Sequence, residues 1–184
     1  MTRLALESAR TIVVEEGVAA LSGRKVTKRI GYTIGTLYQL FDGMDDLVER
    51  MNIGTLSSLF DHCKVAVEQE DDVAAQLNAL ALGFVEFVRT HPQEWDAIMS
   101  YRYKDGYVIS EAYNYEIQKL FGLMEGATAQ FYGAGQAEEH ATDMALLWAS
   151  LTGIWAVASS ERELGGTLEH MIDRLVRMYL KARA

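Results

Sequence analysis

The sequence predicts an all-α protein of about nine helices, with a three-helix head at its N-terminal end and a larger helical body behind it. Three observations carry this reading. The 184 residues contain one proline, Pro92. Ala, Leu, Glu and Met, all strong helix formers, are abundant. Apolar residues recur three and four positions apart along most of the chain. A chain of this length can bury a core without disulfides, and its single cysteine, Cys63, can form no internal bridge. With no basic-then-apolar leader segment, a reducing cytoplasm is the expected compartment. Charges interrupt every apolar run before membrane-spanning length, so no membrane partner is expected.

In residues 3–17, Leu6, Ala9 and Val13 fall at helical spacing and Gly17 suits a C-terminal cap. Ser22 can cap a second helix through "GRKVTKRI", with Val26 and Ile30 on its inner face and Gly31 ending it. Thr33 is placed to cap a third, "IGTLYQLF", whose Leu37 and Phe41 share a face. Two short helices joined at a glycine make a helix-turn-helix, whose second helix enters a DNA major groove. From a cap at Asp45 a long helix runs to about residue 69 and is interrupted at "EDD", residues 70–72. Helices are then expected over 73–90 and, after His91-Pro92, over 93–103. A loop around Asp105-Gly106 follows, and the helical pattern resumes over 108–132. Past "GAGQ", one helix over 137–160 is apolar almost all round from Met144, as expected if it is buried on more than one side. A last helix occupies 164–182. The division is a helix-turn-helix head over residues 1–45 and a body over 46–184.

The net charge of −9 argues at first against a nucleic-acid partner. Its distribution argues the other way. "SGRKVTKRIG" holds Arg24, Lys25, Lys28 and Arg29 with no acid, and adjoins the helix-turn-helix.

The pattern A-x-x-x-V-V-x-E-x-G-V-x-A-L-S-x-R-x-V, followed by I-G-Y-T-x-G-T-L-Y-x-x-F-x-x-x-x-D-L, resembles the DNA-binding head of the tetracycline-repressor (TetR) family. The body resembles it more loosely, through "HPQEWDAIM" and "WASLTGIWAVASSERELGG", the latter similar to the dimerisation helix of one subgroup. The resemblance implies a homodimer that binds double-stranded operator DNA and a small-molecule effector, usually as a repressor that the ligand releases. It implies Thr33, Ile34, Gly35, Thr36, Tyr38 and Gln39 at the DNA surface, and the basic cluster offers Arg24, Lys25 and Lys28 as further candidate contacts. Thr33 and Tyr38 would bind phosphate, and Thr36 and Gln39 would face base edges. Three positions depart from the usual pattern. Met44 stands where a phosphate-binding lysine is common, and Ile34 and Leu40 fill positions that are often polar. These departures suit a rival reading, a helical ligand-binding or interaction protein of the same fold with weakened or lost DNA binding.

In the body, Phe84, Phe87, Trp95, Met99, Tyr103, Tyr107, Tyr113 and Met124 are candidates to line an apolar effector pocket, although core packing accounts for the same residue types. Trp148, Leu151, Gly153 and Trp155 with Leu168, Ile172, Leu175 and Tyr179 are candidates for a two-fold, four-helix dimer interface. No triad order, phosphate loop or metal-ligand spacing is present, so neither an enzyme nor a metal or other cofactor is expected.

Overall fold

The computed structural model describes residues 1–158 and 167–183. Among these are nine α-helices and no strand: α1 Thr2–Glu16, α2 Gly23–Ile30, α3 Ile34–Leu40, α4 Met44–Val67, α5 Val73–Thr90, α6 Pro92–Ser100, α7 Glu111–Thr128, α8 Ala137–Ala158 and α9 Leu168–Arg183. No helix among the described residues is long and apolar enough to cross a membrane. The chain divides into two compact units, Met1–Ser58 with Val88–Ile117, and Leu59–Phe87 with residues from Gln118 onward. Residues 159 and 160 of the expected eighth helix, and 164–166 of the ninth, lie outside the described residues.

In the first unit, Ala5, Ala9, Ile12 and Val13 of α1 pack with Val26, Leu37, Phe41, Leu47, Met51 and Ala97 in one apolar core. Burying each larger side chain of this kind contributes about 1.5–3 kcal/mol, so these few residues hold three short helices that would be unstable alone. The helix ends follow the capping residues in the sequence. Ser22 accepts the Lys25 amide at 3.4 Å, and Thr33 accepts that of Thr36 at 3.3 Å. Gly31 ends α2 in the left-handed region at φ 74°, where a side chain would strain the backbone. At the α2–α3 approach, a Cβ on Gly23 would lie 2.7 Å from Ile34 Cδ1, so glycine is what lets α3 seat there.

Three helices differ from expectation at their ends. Helix α4 begins at Met44, and Asp45 is buried rather than a cap, because its carboxylate accepts the Tyr101 hydroxyl at 2.9 Å. Asp46 instead reaches back to the Asp42 amide at 2.8 Å. Helix α6 stops at Ser100, since Tyr101 is extended (φ −62°, ψ 132°) and held by that bond. Helix α7 starts only at Glu111, with the Ser110 hydroxyl accepting the Tyr113 amide at 3.2 Å, and it also ends early, at Thr128, where a 3-10 turn over Ala129–Phe131 takes over.

In the second unit, Leu80, Met124 and Met144 form a buried cluster flanked by Phe121, Leu147, Trp148 and Tyr179. Trp148 meets the Phe84 ring edge-on at 5.1 Å. Thr128 donates to the Met124 carbonyl at 2.7 Å, so its bond to His140 Nε2, also 2.7 Å, has the imidazole as donor. Tyr132 joins α8 to α9 by donating to Asp143 and bonding Tyr179, while Arg183 pairs with Glu139 and Asp143. Cys63 is buried, with its sulfur 3.9 Å from the Leu80 carbonyl oxygen, and burial pushes its thiol up to about 12.

Helix α8 is not buried all round within the chain. At 100° per residue, Met144, Trp148, Leu151 and Trp155 share the inward side. Leu146, Ala149, Gly153 and Val157 share the opposite side, where Leu146 is 61% exposed and a Cβ on Gly153 would meet nothing within 4 Å.

Candidate functional site

The outer face of α3 is built by its inner one. Leu37 and Phe41 are buried, which turns Ile34, Gly35, Tyr38 and Gln39 outward; Tyr38 is 54% exposed and Thr36 is half-buried. The Thr33 hydroxyl has a local role as cap and lies 3.1 Å from that of Thr36. Gly35 has no crowded neighbour in the chain, the nearest atom to an added Cβ being Thr33 Oγ1 at 3.7 Å. Ile34 does more than face outward, since it packs over Gly23 on α2. Met44 is half-buried against the same core, and its sulfur lies 3.7 Å from a Cβ built on Gly23.

The structure separates four basic residues that the sequence presents alike. Lys25 pairs with Glu16 at 2.7 Å, and Arg29 makes a two-pronged bond to Glu15 at 2.8 and 3.0 Å. Arg29 holds the Glu15 carboxyl below the usual carboxylate range. Arg24 and Lys28, one turn apart on α2, are exposed and pair with no carboxylate among the described residues.

The eight aromatic and methionine candidates fall into two groups. Trp95, Met99, Tyr103, Tyr107 and Tyr113 belong to the first unit; Phe84, Phe87 and Met124 belong to the second. Met99 is more than half exposed, whereas Phe84, Phe87, Trp95 and Met124 are buried. Within the second unit, Leu80, Met124, Leu147, Leu151, Leu175 and Val176 help to line an apolar crevice of about 20 Å³, room for roughly one water. Of the interface candidates, Ile172 is fully buried and Leu151 nearly so inside their own unit, while Leu168, Leu175 and Tyr179 lie on the same inward stripe of α9.

Sequence reasoning missed a polar cluster in the first unit. Asp45, Glu49 and Asn52 lie on one stripe of α4 that continues as Leu56, Leu59 and Cys63, and all six are buried. Tyr101 and Tyr103 meet edge-on at 5.0 Å, and Tyr103 and Tyr107 stack at 5.1 Å. Burial and then the neighbouring Tyr113 push the Tyr103 hydroxyl up to about 12. The available signal was three polar residues occupying the start of an otherwise apolar stripe.

Residues 5–51 match the sequence profile described as bacterial regulatory proteins, tetR family, and residues 77–179, more than half the chain, match the tetracyclin repressor-like C-terminal domain. The chain belongs to the TetR family. Solved structures agree on the fold. A protein of unknown function from Rhodococcus sp. RHA1 superposes with a TM-score of 0.78 at 18% identity, over 98% of this chain and 94% of that one. A TetR-family transcriptional regulator from Streptomyces coelicolor gives 0.71 at 14% identity, over 100% and 99%. A transcriptional regulator from Rhodococcus sp. Rha1 gives 0.69 at 22% identity, over 98% and 96%. Among curated proteins no sequence match was found. Membership in TetR makes this a regulator built on a DNA-binding head.

Proposed function

We propose that this TetR protein acts as a homodimeric repressor, with residues 1–45 reading operator DNA and 46–184 carrying dimerisation and effector binding, and that a small apolar or aromatic ligand releases it. The observation that supports this most is the outward face of α3, where Gly35, Tyr38 and Gln39 are exposed beside the unpaired Arg24 and Lys28. A face of that composition offers a close backbone approach, phosphate donors and a base-edge donor and acceptor. Release requires that the ligand favour a conformation with lower DNA affinity, which gives the coupling a definite sign.

Selection of bound duplexes from a random pool, followed by affinity measurements, tests the reading. Tyr38→Phe and Thr36→Ala should each weaken the selected duplex by about 1–3 kcal/mol while leaving the helical content unchanged. Unchanged affinity in both would remove α3 as the reading surface. The rival, a ligand-binding or interaction protein with weakened DNA binding, is favoured by the neutralised Lys25 and Arg29 and by Met44 in its packed position. It predicts no steep salt dependence of duplex affinity, whereas a head making several phosphate contacts loses affinity sharply as salt rises.

A further inference from the structure

Helix α4 places Asp45, Glu49 and Asn52 on one stripe, respectively 5%, 2% and 0% exposed. Part of their polar demand is met inside the chain. Asp45 accepts Tyr101, Glu49 Oε1 accepts the Ser110 amide at 3.0 Å, and the Asn52 amide group donates to the Ala97 carbonyl at 3.4 Å. Three buried atoms make no well-formed hydrogen bond, Glu49 Oε2, Asn52 Oδ1 and the Tyr103 hydroxyl, although the Asn52 amide group lies toward Tyr103 and the Tyr107 hydroxyl toward Glu49. Neither Asp45 nor Glu49 has a lysine, arginine or histidine within ion-pair distance among the described residues. Buried carboxylates are ordinarily paired, and buried polar atoms ordinarily find partners.

We propose that this cluster is a binding site for a small primary ammonium compound carrying an aromatic group. An ammonium head has three N–H donors and no acceptor, and each of the three unsatisfied oxygens can accept one. Its charge offsets that of Glu49, where a neutral donor would leave a buried carboxylate uncompensated. The edge-on and stacked rings of Tyr101, Tyr103 and Tyr107 supply aromatic surface for the cation and for the ring attached to it. The site rests on the reading of the chain as an effector-responsive regulator only for its consequence on DNA, and it names the effector's chemical class.

Calorimetric titration of the full-length protein at pH 7 with benzylamine, protonated at that pH, and with benzyl alcohol as its neutral analogue tests the site. Benzylammonium should bind about tenfold or more tightly than benzyl alcohol, as charge-assisted hydrogen bonds outmatch neutral ones. Glu49→Gln, which keeps the shape and removes the charge, should bring the two affinities together. Tyr103→Phe, which keeps the ring, should weaken benzylammonium by about threefold to tenfold for the loss of one hydrogen bond. Should the glutamine variant not fold, the phenylalanine variant decides alone. Equal binding of the two probes, no binding of benzylammonium, or a preference that survives Glu49→Gln overturns the site. Benzylammonium binding that leaves duplex affinity unchanged keeps the site and removes ligand release by this class. Release by a neutral apolar compound, in a protein indifferent to benzylammonium, does the reverse.

Discussion

Glu15 and Glu16 on α1 pair with Arg29 and Lys25 on α2. Both pairs are exposed, where ion pairs are weak and salt-screened, so a DNA phosphate can displace the carboxylate at small cost. Glu15→Gln should therefore free Arg29, raise affinity for operator and non-operator duplex alike, and steepen the dependence of log affinity on log salt by about one unit. An unchanged salt slope would show that Arg29 does not reach the backbone. The sign with pH follows from the lowered Glu15 carboxyl: the pair is intact above the ordinary carboxylate range and is lost only as pH falls through the depressed value. The sequence displayed all four cations but not this partition, because pairing depends on where α1 lies against α2, nine and fourteen residues away along the chain.

At the scale of the element, helix interiors were readable and some helix ends were not. Periodicity and local caps place α1, α2, α3 and α5 well, since the signals for these elements lie within a few residues of each end. The ends of α4, α6 and α7 depend on Tyr101 meeting Asp45 and Ser110 meeting Glu49, contacts 56 and 61 residues apart that no local pattern carries. Helix α8 shows a related limit. Its all-round apolarity is legible, but only the structure says which side the chain itself uses. The inward side takes Met144, Trp148 and Leu151, leaving Leu146, Ala149 and Gly153 outside. If that outer side is the close contact of a two-fold dimer, Gly153→Arg should give monomers in sedimentation at micromolar concentration and abolish operator binding. The open space around Gly153 means the substitution leaves the single chain's packing intact. A variant that still dimerises would move the interface elsewhere.

Over the whole molecule, fold class was the most legible property, because composition and periodicity average over many residues and tolerate local error. The family was legible from about a quarter of the chain, where a turn, two caps and two buried anchors constrain nearly every position. The body carries weaker sequence constraint, since apolar residues can exchange within a helical core while its volume and pattern are kept. The aromatic candidates drawn from it divide between two units. The lone thiol of Cys63 has a consequence for how the second unit breathes. With its sulfur buried and held protonated by that burial, it can react with a disulfide reagent only from conformations that expose it. Its labelling rate is thus a clock for opening around α4 and α5, needing no added probe. If that opening costs about 4 kcal/mol, labelling should trail that of a small free thiol by about three orders of magnitude. Rates equal to the free thiol would show that this part of the unit is open most of the time.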